Sequence, residues 1–408
     1  TAIAPALDSI CPQPARRADF RSVPRMTLPV RLALFYAAFF TMSGIQLPFW
    51  PVWLKAHGMS PAETSVLLAV AVWARIPANP LFAHLADRGG RRRTPIILLA
   101  WASLVIAALY CLAAGFTALL LIGVLLGFLW SPIMPLGENL VLLTVYRDKL
   151  DYGRIRVWGS ISFMLATIGG GFLLSGSGTP AILALILAAM LLNALVCHLL
   201  PEVEVAPAPQ ASRAPLAEVL GQPLFLLFLL GSSLEQASHG VYYAFSAVYW
   251  RSQGLGGMVI GLLWAEGVIA EILLFFLSGW VLARVGPLTL LLMGGLAGIL
   301  RWTGTAASAE LWALVPLQAL HGLTFGAAHL GAMHFLSRAI PADRSATAQS
   351  LYSTTTGGIA LGLALLAAGP LYGRFGANAF LAMAALSAVA SLLLLSLKQQ
   401  WSGGLIRL

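Results

Sequence analysis

The chain has 408 residues, of which 59% are hydrophobic and only 10% charged, and it carries a formal net charge of +9. That composition excludes an ordinary soluble domain, and apolar runs of hydrocarbon-spanning length recur from end to end. A soluble helical protein would show amphipathic stripes in place of helices that are apolar all round.

Twelve spans are predicted, at 29–54, 62–85, 94–113, 117–144, 152–175, 179–200, 222–249, 257–284, 287–307, 310–337, 344–372 and 376–397. The fold class is therefore an all-α polytopic membrane protein. Its divisions are a cytoplasmic tail at 1–28, a six-helix bundle at 29–200, a linker at 201–221, a second bundle at 222–398 and a tail at 399–408. The Pro/Ala/Arg-rich tail lacks an apolar core, so it is expected to be disordered, with Met26 as a possible true start.

Of the 24 Lys and Arg, Lys55, Arg251 and Arg374 fall outside and Arg75, Arg156 and Arg301 fall within the spans, which leaves 18 on the cytoplasmic side. The positive-inside rule then puts both termini in the cytoplasm. The basic charge reports topology, not nucleic-acid binding. Cys11, Cys111 and Cys197 show neither metal-ligand spacing nor a disulfide framework, and no metal or organic cofactor is expected.

The two halves resemble each other. At a shift of 196 positions Phe49 falls on Phe245, Lys55 on Arg251, Gly58 on Gly254, Arg88 on Arg284 and Gly90 on Gly286. Parallel repeats joined by a polar linker place a binding site between the halves near the bilayer midplane. Helix breakers gather in the first, second and fourth spans: Pro48 and Pro51, Pro77 and Pro80, Pro132 and Pro135. They mark either kinks or backbone opened toward a cavity. Gly169–Gly171 and Gly357-Gly358 suit close helix contact.

Charged groups inside spans are costly and mark ligand or ion pathways. The fourth span carries Glu138, and Asp151–Ser160 opens the fifth with Arg154 and Arg156. Arg156 suits a bidentate carboxylate contact, Arg75 lies at similar depth, and Trp158, Trp50, Tyr242 and Tyr243 offer rings for stacking or interface anchoring. On the seventh span Glu235 and His239 stand one turn apart, within hydrogen-bonding reach. Glu271, in the eighth, falls opposite Arg75 in the repeat and is the candidate proton carrier; a structural ion pair with Arg301 or Arg75 is the alternative. His321, His329 and His334 are too isolated to argue for a metal, and His84 and His198 lie near helix ends.

The stretch Ala83–Arg93 contains Asp87-Arg88-Gly89-Gly90-Arg91-Arg92, which resembles the Gly-x-x-x-Asp-Arg-x-Gly-Arg-Arg signature of the major facilitator superfamily. Ala83 stands where glycine is usual, and the second copy, Gly279–Pro287, keeps Arg284 and Gly286 but lacks the acid. The resemblance implies that Asp87, Arg88, Gly90 and Arg91 form a conformational latch.

Within that superfamily, Asp151–Ser160, Leu47–Trp50, Tyr242–Trp250 and Leu320–His329 resemble the phenylpropionate-permease group. Glu138 with Arg156 is similar to the acid–arginine pair by which lactose permease holds its sugar, and Arg301 with His321 to that permease's proton site. There this chain departs: Thr324 replaces the proton-carrying acid. Glu235 and Glu266 are acids where the phenylpropionate group has apolar residues.

The expectation is a non-enzymatic secondary transporter in the lipid bilayer, working by alternating access as a monomer on a small molecule and protons. Its cargo would be an aromatic carboxylate such as 3-phenylpropionate; a sugar or nucleoside symporter or a drug exporter is the alternative. Substrate contacts are assigned to Arg75, Glu138, Arg156, Trp158, His239, Tyr242 and Tyr243, and proton coupling to Glu271, Arg301, His321 and His329. No serine–histidine–acid cluster, metal motif or phosphate-binding glycine loop supports an enzyme.

Overall fold

A computed structural model describes residues 26–203, 216–341 and 344–406. The expected tail at 1–25, most of the 201–221 linker and the last two residues lie outside the described residues. Helices account for nearly everything else, with no β-strand among the described residues.

The first half contains α1 (Leu28–Ala56), α2 (Pro61–Gly89), α3 (Arg93–Ala108), α4 (Gly115–Trp130), α5 (Ile133–Asp148), α6 (Tyr152–Ser177) and α7 (Ala181–Cys197). A short α8 (Leu216–Leu220) leads into the second half. There follow α9 (Pro223–Ala237), α10 (Gly240–Ser252), α11 (Gly257–Phe276), α12 (Ser278–Leu282) and α13 (Pro287–Ala307). The chain ends with α14 (Leu311–Ala319), α15 (Ala328–Ala339), α16 (Ser345–Ser353), α17 (Leu361–Phe375) and α18 (Ala379–Gln400).

Every predicted span is helical, but five are interrupted. Pro132, with no N–H to offer, separates α4 from α5, whereas α1 and α2 run unbroken through their prolines. The seventh span divides at Ser238-His239: the Ser238 hydroxyl donates to the Glu235 carbonyl (2.6 Å), and the His239 N–H turns back to Gln236. Leu277 separates α11 from α12. The tenth and eleventh spans widen into π-helical turns at Gly322–Ala327 and Thr354–Ala360. Such turns concentrate at functional sites because they free backbone groups and re-aim side chains.

Among the described residues, nine helical stretches are long and apolar enough to cross a membrane. One of them, Thr347–Gln400, turns back at Gly376, whose φ of 55° is left-handed. Ala181–Cys197, at 17 residues, and the divided pair α9/α10 fall outside that count. The pattern is consistent with twelve crossings. Leucines such as Leu98, Leu121, Leu165, Leu296 and Leu392 are exposed around the outside, as expected where hydrocarbon is the solvent.

The internal repeat is visible in backbone detail. After α1, the Met59 N–H reaches the Leu54 carbonyl at 3.1 Å across left-handed Gly58; after α10, Leu255 reaches Trp250 at 3.0 Å across left-handed Gly254. Both pairs differ by the predicted 196 positions. The second glycine pair diverges, since Gly90 is left-handed and Gly286 is extended.

The halves touch mainly near that end of the helices. A Cβ on Gly171 of α6 would lie 2.2 Å from the Gly257 carbonyl of α11, and one on Gly369 of α17 would lie 2.4 Å from the Pro61 carbonyl of α2. Backbone therefore meets backbone there. Gly171 serves the close contact expected of Gly169–Gly171, and Gly358 packs on Ile76, but Gly169 and Gly357 meet nothing within 4 Å. Toward the opposite end Leu85, Leu273, Phe276 and Trp280 are exposed.

Candidate functional site

Three helical stripes converge between the halves. Arg156, Ser160 and Phe163 come from α6, at i, i+4 and i+7; Trp264, Val268, Glu271 and Phe275 continue that spacing on α11. His321, Phe325 and His329 descend the π-turn and the start of α15. Phe40, Leu47, Tyr242 and Tyr243 complete a cavity of about 400 Å³. Its wall is aromatic, with one cation from the first half and one carboxylate from the second.

Arg156 extends between rings. Its guanidinium carbon lies 4.4 Å from the Phe40 centroid and 5.2 Å from that of Tyr36. Gly159 makes the room: a Cβ there would stand 2.8 Å from the guanidinium and 2.7 Å from the Phe40 ring. Glu138 and Arg156, expected to hold the substrate together, form no ion pair with each other among the described residues. The Tyr36 hydroxyl donates to Glu138 Oε2 at 2.8 Å and the Tyr152 hydroxyl donates to Oε1, which occupies the carboxylate without a cation. Tyr36 thus stands between the two, and Glu138 does not line the cavity.

On the second half, the Glu271 Oε2 lies 4.0 Å from His321 Nε2. His321 Nδ1 is 3.0 Å from Arg301 Nη1, which also donates to Thr324 at 2.9 Å, while Nη2 donates to Gln318 at 2.8 Å. Arg301 is fully buried behind Tyr242 and Trp302, whose ring centroids lie 4.7 and 4.5 Å away. It positions His321 and Tyr242 from behind the cavity wall. No Glu271–Arg301 ion pair forms; the histidine sits between them.

His239 is buried, stacks on Tyr243 with centroids 5.6 Å apart, and shares a 3.3 Å contact with Thr324. It supports the wall without lining it. Its expected bond to the Glu235 carboxylate does not form: among the described residues both Glu235 oxygens lack a partner. Glu266 is half-buried outside the lining.

Two other expectations fail geometrically. Arg75 is exposed on α2, has no ion-pair partner among the described residues and lies off the cavity, so Arg156, not Arg75, shares the site with Glu271. Trp158 is 51% exposed on the outward face of α6, and Trp50 stacks on Trp53 away from the cavity. At the latch loop, Asp87 pairs with Arg92, not with Arg91, while Arg88 and Arg91 are exposed beside left-handed Gly90. Phe40, Phe163, Trp264, Phe275 and Phe325 are lining residues missed in the sequence. The i, i+4, i+7 stripe through Glu271 was the signal that could have found Trp264 and Phe275.

A family model described as the MFS_1-like family matches residues 29–383. The chain belongs to that family of major facilitator transporters. It is 33% identical over 362 residues to the probable 3-phenylpropionic acid transporter of Escherichia coli K12, covering 86% of this chain and 93% of that protein. The maltose permease of Geobacillus stearothermophilus is 27% identical over 381 residues, covering 91% and 95%. A crystallised mutant of the nucleoside transporter NupG superposes with a TM-score of 0.82 at 17% identity, covering 91% of this chain and all of that one. At that identity the likeness establishes the fold alone. This family member is a multi-pass membrane transporter of small molecules, not an enzyme.

Proposed function

We propose that the protein takes up an aromatic monocarboxylate, such as 3-phenylpropionate, together with a proton across the bacterial inner membrane. The observation that carries this reading is that Arg156 and Glu271, from opposite halves, line one aromatic cavity. The relative from Escherichia coli supports the same cargo. Arg156 receives the carboxylate and the rings of Tyr242, Tyr243 and Trp264 flank the apolar end.

Coupling follows from charge. With Glu271 protonated, the substrate carboxylate is the one anion available to Arg156. With Glu271 ionised, its own carboxylate competes for that arginine, and the substrate is released. A cycle that exposes Glu271 to each side in turn therefore moves proton and substrate together. The Lys/Arg-rich end, with Arg88, Arg91, Arg92, Arg93, Arg284 and Arg338, faces the cytoplasm in this reading. The glycine contacts then close the outer face, and both termini lie inside. A monomer suffices, since both halves of the site lie on one chain.

The test is external pH in weakly buffered proteoliposomes after adding 3-phenylpropionate. The expected result is a transient alkalinisation that disappears in Arg156→Ala and persists in Trp158→Ala. Arg156→Lys should recover little, because a lysine cannot make the paired contact. Uptake without any proton movement would refute the coupling; no uptake by correctly inserted protein would refute the cargo.

A further inference from the structure

Glu235 lies outside the cavity, and the mechanism above does not use it. It is 2% exposed, and neither carboxylate oxygen has a hydrogen-bond partner among the described residues. It presses instead into a seam formed by α9, α13, α18 and the π-turn at Gly322–Ala327. A Cβ on Gly294 would stand 2.3 Å from Glu235 Oε1 and 3.1 Å from the Leu323 carbonyl. One on Gly295 would stand 2.3 Å from Ser391 Oγ and 3.4 Å from Glu235 Oε2. Two consecutive glycines thus leave a slot that the carboxyl group fills. The hydroxyls of Ser232 and Ser233, on the same helix as Glu235, and of Ser387, one turn from Ser391, are buried and without a partner among the described residues.

Among the described residues no basic side chain pairs with Glu235. The helices α13 and α18 bring glycines and serines to it, the π-turn brings a carbonyl, and Tyr352 of α16 is the titratable group that senses it from the eleventh span. On its own segment the next titratable group is His239, one turn on. An ionised carboxylate in such a place would be unpaired inside a membrane span, which proteins avoid. A neutral carboxylic acid carries a far smaller burial penalty than the ionised form.

One turn on from Glu235, His239 begins a chain of contacts that leads to the cavity. His239 contacts Thr324 at 3.3 Å, Thr324 accepts from Arg301, Arg301 contacts His321 at 3.0 Å, and His321 faces Glu271 at 4.0 Å. That chain crosses two of the interrupted segments, the Ser238-His239 break and the π-turn at Gly322–Ala327, where the backbone is freest to shift as the halves rock.

We propose that Glu235 is a second proton-binding site, separate from Glu271, which loads and unloads during the transport cycle. Resting on the monocarboxylate reading above, it makes transport electrogenic. One proton with one monoanion moves no net charge; a second proton moves one positive charge inward. An inside-negative potential of about 100 mV would then drive roughly fifty-fold accumulation without a pH gradient.

Two measurements test this. The first is the infrared difference spectrum between wild type and Glu235→Gln, recorded on the purified full chain across a pH series. The carbonyl stretch of a neutral carboxylic acid, absent in Glu235→Gln, retained in Glu271→Gln and unchanged when sodium replaces potassium, is the expected result. Carboxylate bands alone at every pH, or a band that sodium removes, would overturn the proposal, the latter in favour of a sodium site. The second is potential-driven uptake of 3-phenylpropionate by wild-type proteoliposomes, which needs no variant to fold. Accumulation driven by potential alone is expected, and electroneutral uptake would overturn the second proton. Should 3-phenylpropionate fail as cargo, uptake is absent altogether and the infrared result still decides the state of Glu235.

Discussion

His321 places Nε2 4.0 Å from the Glu271 carboxylate while its Nδ1 faces Arg301 at 3.0 Å. The imidazole is thus held from behind by a fixed cation and presents its other nitrogen to the cavity carboxylate. With Nδ1 accepting from the guanidinium, the proton of the neutral ring sits on Nε2, directed at Glu271. Glu271→Gln keeps the shape and the acceptor but removes the titrating group. The mutant should lose gradient-driven accumulation and retain exchange of substrate across equal concentrations. Full active uptake by this mutant would remove Glu271 from the coupling mechanism.

Tyr36 joins the two polar elements of the first half, donating to Glu138 at 2.8 Å while its ring lies under Arg156. Tyr36→Phe keeps the ring and loses the hydroxyl. A hydrogen bond to a charged group contributes about 1.5–3 kcal/mol, so a measurable fall in thermal stability is expected. Substrate affinity should change little, because the aromatic face remains. Glu138→Gln retains an acceptor for the tyrosines and should stay closer to wild type in stability. A loss of binding in Tyr36→Phe as large as that in Arg156→Ala would instead make the hydroxyl a substrate ligand.

Gly171 and Gly257 bring the backbones of the two halves into direct contact. A methyl group at Gly171 would stand 2.2 Å from a backbone carbonyl, which cannot rotate away as a side chain can. Gly171→Ala should therefore disfavour closure at this end and populate the conformer open there. Cysteines introduced near Pro61 and Gly369 would report it through faster thiol labelling in the Gly171→Ala background. Gly169→Ala is the control, since a Cβ there meets nothing within 4 Å.

Most of the architecture was legible because hydrocarbon imposes long apolar helices, and their lengths and charge bias are written in composition. The breaks were harder to read. Pro132 interrupts a span while Pro48, Pro51, Pro77 and Pro80 do not, and the π-turns carry glycines that resemble ordinary packing positions. Arg156, Glu271, Tyr242 and Tyr243 were found because charged or aromatic residues in such segments stand out. Arg75 and Trp158 stood out equally, yet helix rotation turned them away from the cavity. The 196-residue repeat matched Arg75 to Glu271 in sequence, but the halves meet at different faces. The tyrosines that satisfy Glu138 were invisible as partners, since Tyr36 and Glu138 are 102 positions apart.

Asp87, in the last turn of α2, pairs with Arg92 just beyond the helix, and its side chain is 59% exposed. Exposed pairs of this kind contribute about 0–1 kcal/mol, so Asp87→Asn should leave thermal stability nearly unchanged. Its effect should appear in the distribution between conformers instead. If the loop latches the opposite state, that state loses its contact, and distance distributions between spin labels on α2 and α17 should shift toward the conformer described here. An unchanged distribution with normal transport would leave the loop as a topological signal only.

Trp264 and Trp158 provide the sharpest contrast between a lining ring and an outward one. Trp264 is buried, stacks on Tyr242 with centroids 4.6 Å apart, and lines the cavity; Trp158 is half-exposed on the outer face of α6. An aromatic contact contributes about 0.5–1.5 kcal/mol beyond area burial, so Trp264→Ala should raise the substrate concentration for half-maximal uptake by about two- to tenfold or more. Trp264→Phe should recover part of it, because a ring remains. Trp158→Ala should stay within about twofold of wild type, since surface changes rarely exceed about 0.5 kcal/mol. Uptake titrations with an aromatic acid and with an aliphatic acid of similar length separate stacking from size. If the two acids suffer equally in Trp264→Ala, the cavity selects for volume and the aromatic preference fails.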